Sequence, residues 1–233
     1  LEAPLLLASR EAEALVFLNS SKGADLLRSA THDKPYWQLA QDFETEHPGM
    51  CGPTTAAMLL NALAPQGLAA PESTLYSYHF GQFSEEFHYW ERVNIWNGSD
   101  ADCVKASTTP WVGALEQVAG LLRCHGAAVE AVKASDSTPE DFRETLKQAF
   151  ADEQLRYVAV NFDRGTLHQQ GWGHHSPVGA YDAASDRVLI LDVARYKYPP
   201  WWVPLKDLFA AMNATGPPSP MATPRGFLVA GML

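Results

Sequence analysis

A cysteine at 51, histidines at 174 and 175 and an aspartate at 192 are the residues of this chain whose types and order suit covalent chemistry. Cys51 stands in Met50-Cys51-Gly52-Pro53-Thr54-Thr55-Ala56-Ala57-Met58-Leu59-Leu60-Asn61. A thiol followed by Gly-Pro and then helix formers belongs in the first turn of a helix, where the N–H that proline lacks would have had no partner anyway. The partial positive charge of that helix end favours thiolate over thiol, so a lowered thiol pKa is expected. Gly173-His174-His175-Ser176-Pro177 lies downstream, followed by Leu189-Ile190-Leu191-Asp192-Val193-Ala194-Arg195. A cysteine nucleophile, a histidine base and a carboxylate that orients the base make an acyltransferase or peptidase constellation. A free cysteine is more often a packed core residue, and a lone histidine beside a strand is more often structural. The Gly-Pro step and the spacing between the histidines and Asp192 weigh against both, with either His174 or His175 able to serve.

The elements that must position these residues are legible in outline. Helix is expected over 11–30, broken at Asn19-Ser20-Ser21, and over 53–63, burying Met58, Leu59, Ala62 and Leu63. A further helix is expected over about 110–125, with Thr109 as cap, Pro110 at its first position and Gly126 at its end. Another covers 139–150, with Thr138 and Asp141 forming a capping pair around Pro139. The stretch 64–110, rich in Pro, Ser, Tyr and Trp, reads as long loops with short helices. Strands are expected at 157–162, 176–181, 187–192 and 227–230, the middle two joined into a hairpin at Asp182–Asp186. Antiparallel pairing sets the start of one strand beside the end of the next, which brings His174 to Asp192. Helices first and an antiparallel sheet second is an α+β layout. One two-lobed domain over 1–233 is expected, about 1–150 helical and 151–233 mainly strand, with the site between the lobes.

Composition excludes several classes. The 233 residues are 46% hydrophobic with a net charge of −10, enough apolar material for a sizeable core and the wrong sign for nucleic acid or an anionic membrane surface. No apolar run approaches the roughly 20 residues of a membrane span, so a soluble chain is expected. The three cysteines, Cys51, Cys103 and Cys124, form no CxxC, so neither a disulfide framework nor a structural zinc site is expected, and no metal ligand set is assigned. The chain opens at Leu1 rather than Met, as after removal of a targeting segment, tag or cleavage site, and the compartment stays open. Sequons at Asn19, Asn97 and Asn213 carry little weight. The aromatic stretch Tyr76–Trp96 and the Trp201-Trp202 pair read as packing, the latter bracing a strand-to-helix turn.

Leu189-Ile190-Leu191-Asp192-Val193-Ala194-Arg195-Tyr196-Lys197-Tyr198-Pro199-Pro200-Trp201-Trp202-Val203-Pro204, with His174, Ser176-Pro177 and Ala211-Met212-Asn213, resembles the phytochelatin synthases, the glutathione γ-glutamylcysteinyltransferases. Cys51-Gly52, Leu60-Asn61-Ala62-Leu63, Leu122-Arg123-Cys124-His125-Gly126, Ser135 to Arg143 and Arg225-Gly226-Phe227 extend the resemblance over about residues 14–230. It implies a papain-like cysteine protease fold, a helical N-terminal lobe on an antiparallel sheet lobe, with Cys51, His174 and Asp192 as catalytic triad. The family's Gly-His-x-Ser-Pro falls on Gly173 to Pro177, which selects His174 and leaves His175 in the variable position.

The implied reaction cleaves the Cys–Gly bond of glutathione or a related γ-glutamyl thiol. A γ-Glu-Cys acyl-enzyme passes its acyl group to water or to a second glutathione, the second route making phytochelatin. No cofactor is implied, and cadmium or zinc would act as glutathione thiolates. A homodimer is a candidate assembly. Cys51 N–H is expected as one oxyanion donor. The other position, usually a Gln side chain, falls on Glu46, which donates only when protonated; His47 or a second backbone N–H could substitute. Arg195, Lys197 and Arg225 are expected to bind substrate carboxylate, while the acidic residue expected after Ala211-Met212-Asn213 is replaced by Gly216-Pro217-Pro218. No cysteine-rich C-terminal region of the eukaryotic kind is present in the sequence, and hydrolysis is expected to outweigh polymerisation. Two rivals are a leader-peptide-cleaving cysteine peptidase and a non-catalytic binder of γ-glutamyl thiols or metal thiolates.

Overall fold

The computed structural model describes residues 15–42, 45–46, 49–66, 68, 83–84, 93–94, 114–151, 155–214 and 224–232. Among them, seven strands form one antiparallel sheet. They are β1 (Val16–Phe17), β4 (Ala128–Lys133), β5 (Tyr157–Asp163), β6 (Gly173–Asp182), β7 (Arg187–Ile190), β8 (Trp201–Pro204) and β9 (Gly226–Gly231), in the order β1-β8-β7-β6-β5-β9-β4. Two short strands, β2 (Phe83–Ser84) and β3 (Val93–Asn94), pair in parallel apart from it. The helices are α1 (Ser21–Ser29), α2 (Lys34–Leu39), α3 (Cys51–Leu63), α4 (Leu115–Cys124), α5 (Pro139–Ala151) and α6 (Leu205–Met212). The α+β class is as expected.

Strand alternation divides the core between the two faces of the sheet. Tyr157, Ala159, Leu189, Leu191, Trp202, Leu228 and Ala230 join the helices α3 and α4 in one cluster. Val158, Val160, Phe162, Val188, Ile190, Trp201, Phe227 and Val229 join α5 and α6 in the other. Because α3 is buried from Gly52 to Leu63, no face of it is exposed, and the expected stripe of four apolar residues is only part of its buried surface.

The local signals that worked are those with a capping mechanism. Thr138 Oγ1 accepts from Asp141 N (3.1 Å) while Asp141 Oδ2 accepts from Thr138 N (3.0 Å), the reciprocal pair expected at the start of α5. Ser20 caps α1, its hydroxyl accepting from Gly23 N (3.0 Å), so the break at 19–21 holds, and Val16–Phe17 before it form strand β1 where helix was expected. Gly126, at φ +86°, closes α4.

Besides β1, four described strands were missed: β2 and β3, which fall within the 64–110 stretch read as loops with short helices, and β4 and β8. Ala128-Val129-Glu130-Ala131-Val132-Lys133 carries residues more common in helices, and becomes an edge strand by pairing with β9. Trp201 and Trp202 belong to β8, paired with β7 before α6 begins, so they are buried strand residues rather than turn braces. Helix α4 begins at Leu115, later than expected; Thr109, Pro110, Cys103, Asn97 and most of the Tyr76–Trp96 segment lie outside the described residues. Cys124 is disulfide-bonded, a correction to the reading of the cysteines as unpaired; its partner lies outside the described residues, and Cys51 is free.

Candidate active site

Cys51 is the first residue of α3, with Met50 as N-cap, as the Gly-Pro step predicted. Strand β6 begins one residue before His174, and α3 packs against this strand. Cys51 Sγ, a ring nitrogen of His174 and a carboxylate oxygen of Glu46 all lie within 4.8 Å of one another. Residues 46, 51 and 174 come from a loop, a helix start and a strand, so this convergence is a product of the tertiary fold.

The hairpin does what its spacing implied. Val178 pairs with Ile190, and the ladder continues beyond β7 through Leu191 N to Pro177 O (3.0 Å) and Val193 N to Ser176 Oγ (3.3 Å). That extension sets Asp192 opposite the start of β6, and His174 Nε2 lies 3.0 Å from Asp192 Oδ1. A carboxylate only accepts, so Nε2 carries the proton and Nδ1 is left for the thiol.

Asp192 is wholly buried, and its carboxylate is held from several sides. Arg164 Nη2 donates to Oδ1 (2.8 Å), as does the Ala194 N–H (2.9 Å), while Trp201 Nε1 donates to Oδ2 (2.9 Å). Burial by itself would raise the Asp192 pKa. The hydrogen bonds and charges of His174 and Arg164 outweigh it and hold the carboxyl well below the usual carboxylate range. Arg164 is itself buried, donates to Gln169 Oε1 (2.6 Å) and lies over the Tyr198 ring at 5.0 Å. Sequence reasoning missed both Arg164 and Trp201. Their signal was weak, because neither stands in a motif with a mechanism and each reaches Asp192 only through the fold.

Burial lowers the His174 pKa, with Asp192 pulling the other way. The Cys51 thiol departs from expectation. Burial pushes it up to about 11, the Glu46 charge adds to that, and the backbone N–H groups of His175 and Gly52 offset only part. Desolvation thus opposes the helix end at the Cys51 thiol, and burial of His174 works in the same sense against its charged form.

Glu46 is buried beside the thiol. Its Oε1 accepts from Tyr196 O–H (3.0 Å), its backbone N–H bonds Val193 O (2.9 Å), and Oε2 has no hydrogen-bond partner among the described residues. Burial raises its pKa. Among the expected substrate-binding cations, Arg195 and Lys197 are exposed on the turn after Asp192. Lys197 Nζ lies 5.6 Å from the Tyr196 ring centroid, and its charge is felt at Glu46 and His174. Arg225 is engaged elsewhere, with Nη1 donating to Ala214 O (2.7 Å) and Nη2 3.5 Å from Asp163 Oδ1. His175 is buried and Ser176 Oγ donates to its carbonyl (2.7 Å); His47 lies outside the described residues.

The phytochelatin synthase profile matches residues 9–227. A glutathione gamma-glutamylcysteinyltransferase of Lotus japonicus is 36% identical over 182 residues, covering 76% of this chain and 34% of the relative. One from Arabidopsis thaliana is 33% identical over 183 residues, covering 77% of this chain and 34% of the relative. The Schizosaccharomyces pombe relative is 30% identical over 230 residues, covering 92% of this chain and 51% of its own length. The chain thus spans about a third to a half of these relatives. With the profile running through Cys51, His174 and Asp192 alike, this chain belongs to the phytochelatin synthase family.

Proposed function

We propose that the chain is a papain-like cysteine acyltransferase that cleaves the Cys–Gly bond of glutathione through a γ-Glu-Cys acyl-enzyme on Cys51. The observation that carries this is the Cys51–His174–Asp192 alignment, with Asp192 fixing the histidine tautomer at 3.0 Å. His174 takes the thiol proton as Sγ attacks the Cys–Gly carbonyl carbon. The tetrahedral intermediate collapses, the C–N bond breaks, and the proton on His174 passes to the departing glycine amine. The amine of a second glutathione, or water, then attacks the thioester, gives its proton to His174, and releases Cys51. The first outcome lengthens the γ-Glu-Cys chain; the second is hydrolysis.

The upward shift at the Cys51 thiol and the downward shift at His174 both favour general-base activation at the moment of attack over a standing ion pair. Cys51 N–H at the helix start supplies one oxyanion donor, and Glu46 in its protonated form supplies a second. Arg195 and Lys197 offer charge to a substrate carboxylate from the exposed turn. Cadmium or zinc enters this chemistry as the glutathione thiolate, on the substrate side.

The test is mass spectrometry of products from millimolar glutathione, with and without cadmium or zinc, beside Cys51→Ala. Glycine with γ-Glu-Cys, or with (γ-Glu-Cys)2-Gly, and a γ-Glu-Cys adduct on Cys51 are expected from the wild type alone. Glycine release by Cys51→Ala would overturn the mechanism. No glycine from either protein would favour the binding-module alternative.

A further inference from the structure

We propose that Glu46, Cys51 and His174 also form a binding site for a thiophilic divalent cation of the zinc and cadmium class, and that the free ion is inhibitory there. The three residues offer one oxygen, one sulfur and one nitrogen within 4.8 Å of one another. Tetrahedral coordination with bonds of about 2.0–2.3 Å places ligand atoms roughly 3.5 Å apart, so a modest contraction closes the site. A thiolate ligand selects zinc or cadmium over magnesium and calcium, which take oxygen. Three protein ligands leave a fourth position for water.

Two independent features point to a ligand. Glu46 is 6% exposed, and beside a nucleophilic thiol its Oε2 has no hydrogen-bond partner among the described residues. A buried carboxylate oxygen without a donor is costly, and a cation satisfies it. His174 Nε2 is held by Asp192, leaving the other ring nitrogen as the lone-pair donor. A carboxylate behind a histidine behind a metal is the usual outer-shell arrangement of such sites, and it raises the basicity of the ligating nitrogen. The charges agree: Glu46, ionised Cys51 and Asp192 bring three negatives, Arg164 cancels one through its 2.8 Å pair with Asp192, and a divalent ion neutralises the rest. Lys197 opposes the ion from the exposed turn, where solvent screens it.

Binding forms a Cys51 Sγ–metal bond and a Glu46 carboxylate–metal bond and releases to solvent the thiol proton together with the proton that Glu46 carries in its protonated form. The same ion then occupies the nucleophile and the base of the proposed acyl transfer. Free ion and metal–glutathione thiolate would therefore have opposite effects. The inhibitory consequence rests on the proposed function; binding does not.

The experiment titrates Cd2+ alone into the full chain, freed of metal and reductant, and follows thiolate-to-metal charge-transfer absorption. Protection of Cys51 from iodoacetamide, located by peptide mass spectrometry, is read in parallel. One equivalent is expected to give the band, protect Cys51, and be reversed by chelator. Cys51→Ser should abolish the band, and Glu46→Gln, isosteric and still carrying the thiol, should weaken affinity by about tenfold or more. Thermal melting of each variant without metal verifies folding. A band that survives in Cys51→Ser, or equal affinity in Glu46→Gln, overturns the site. Neither readout uses substrate, so failure here leaves acyl transfer standing, and failure of turnover leaves this site standing. If the wild type turns over glutathione and site-bound Cd2+ does not slow it, the inhibitory role is refuted.

Discussion

Replacing Arg164 by methionine tests how the buried carboxylate behind His174 is held. The Arg164 side chain is 3% exposed and Asp192 is fully buried, so neither charge is compensated by water once the other is gone. Removing one partner of such a pair costs about 3–5 kcal/mol, because the survivor is left as a buried ion without the counter-charge that offsets its desolvation. The lost bond to Gln169 and the lost contact with Tyr198 place Arg164→Met toward the upper part of that range. For a chain of this size, roughly 2–4 °C per kcal/mol gives a fall in Tm of roughly 6–20 °C. The assay is urea and thermal unfolding followed by circular dichroism, on Arg164→Met, Asp192→Asn and the double variant. Each single variant strands one charge, whereas the double variant removes both. It should therefore recover at least about 2 kcal/mol relative to Arg164→Met, a coupling typical of residues in direct contact. Turnover should not return with stability, since the neutral amide of Asp192→Asn cannot balance the charge of a protonated His174. A loss below about 1 kcal/mol for Arg164→Met, or a double variant no more stable than that single one, would refute the account.

Trp201→Phe removes the donor to Asp192 Oδ2 while keeping an aromatic ring in the core, and should cost about 1.5–3 kcal/mol in urea unfolding. Under the proposed function its effect on glycine release should fall mainly on kcat, because Asp192 orients the base without touching substrate; wild-type kcat would exclude that positioning role. Asp186 supplies the pH prediction. Arg143 Nε and Nη2 each bond its carboxylate at 2.9 Å and lower its pKa from the ordinary 3.8. A depressed folded pKa adds stability above the unfolded value, and that stability is lost as pH falls through the folded value. Wild type should exceed Asp186→Asn by about 1 kcal/mol at neutral pH, a figure kept small by solvent exposure, and the difference should vanish in strong acid. Asparagine tolerates the φ of +51° at this position, so backbone strain does not confuse the comparison. A difference that stays constant from neutral to strongly acidic pH would refute it.

What the sequence by itself determined rests on short-range physics. Cys51 reaches the first turn of α3 because Gly-Pro and a following run of helix formers place a helix start there. His174 meets Asp192 because a hairpin with a local turn has a set register, and Thr138 meets Asp141 because a capping pair spans three residues. Tertiary structure alone decided which groups surround those residues. Arg164 and Trp201 arrive at Asp192 from β5's end and from β8, a strand whose identity depends on pairing with β7. Edge strand β4 likewise follows from β9 against the helical leaning of its own residues. The Cys51 thiol is the sharpest case. The helix end that argues for an acidic thiol is a local feature, whereas the burial and the Glu46 charge that overrule it come from distant segments. Desolvation depends on everything packed around a group, and no spacing along the chain encodes it.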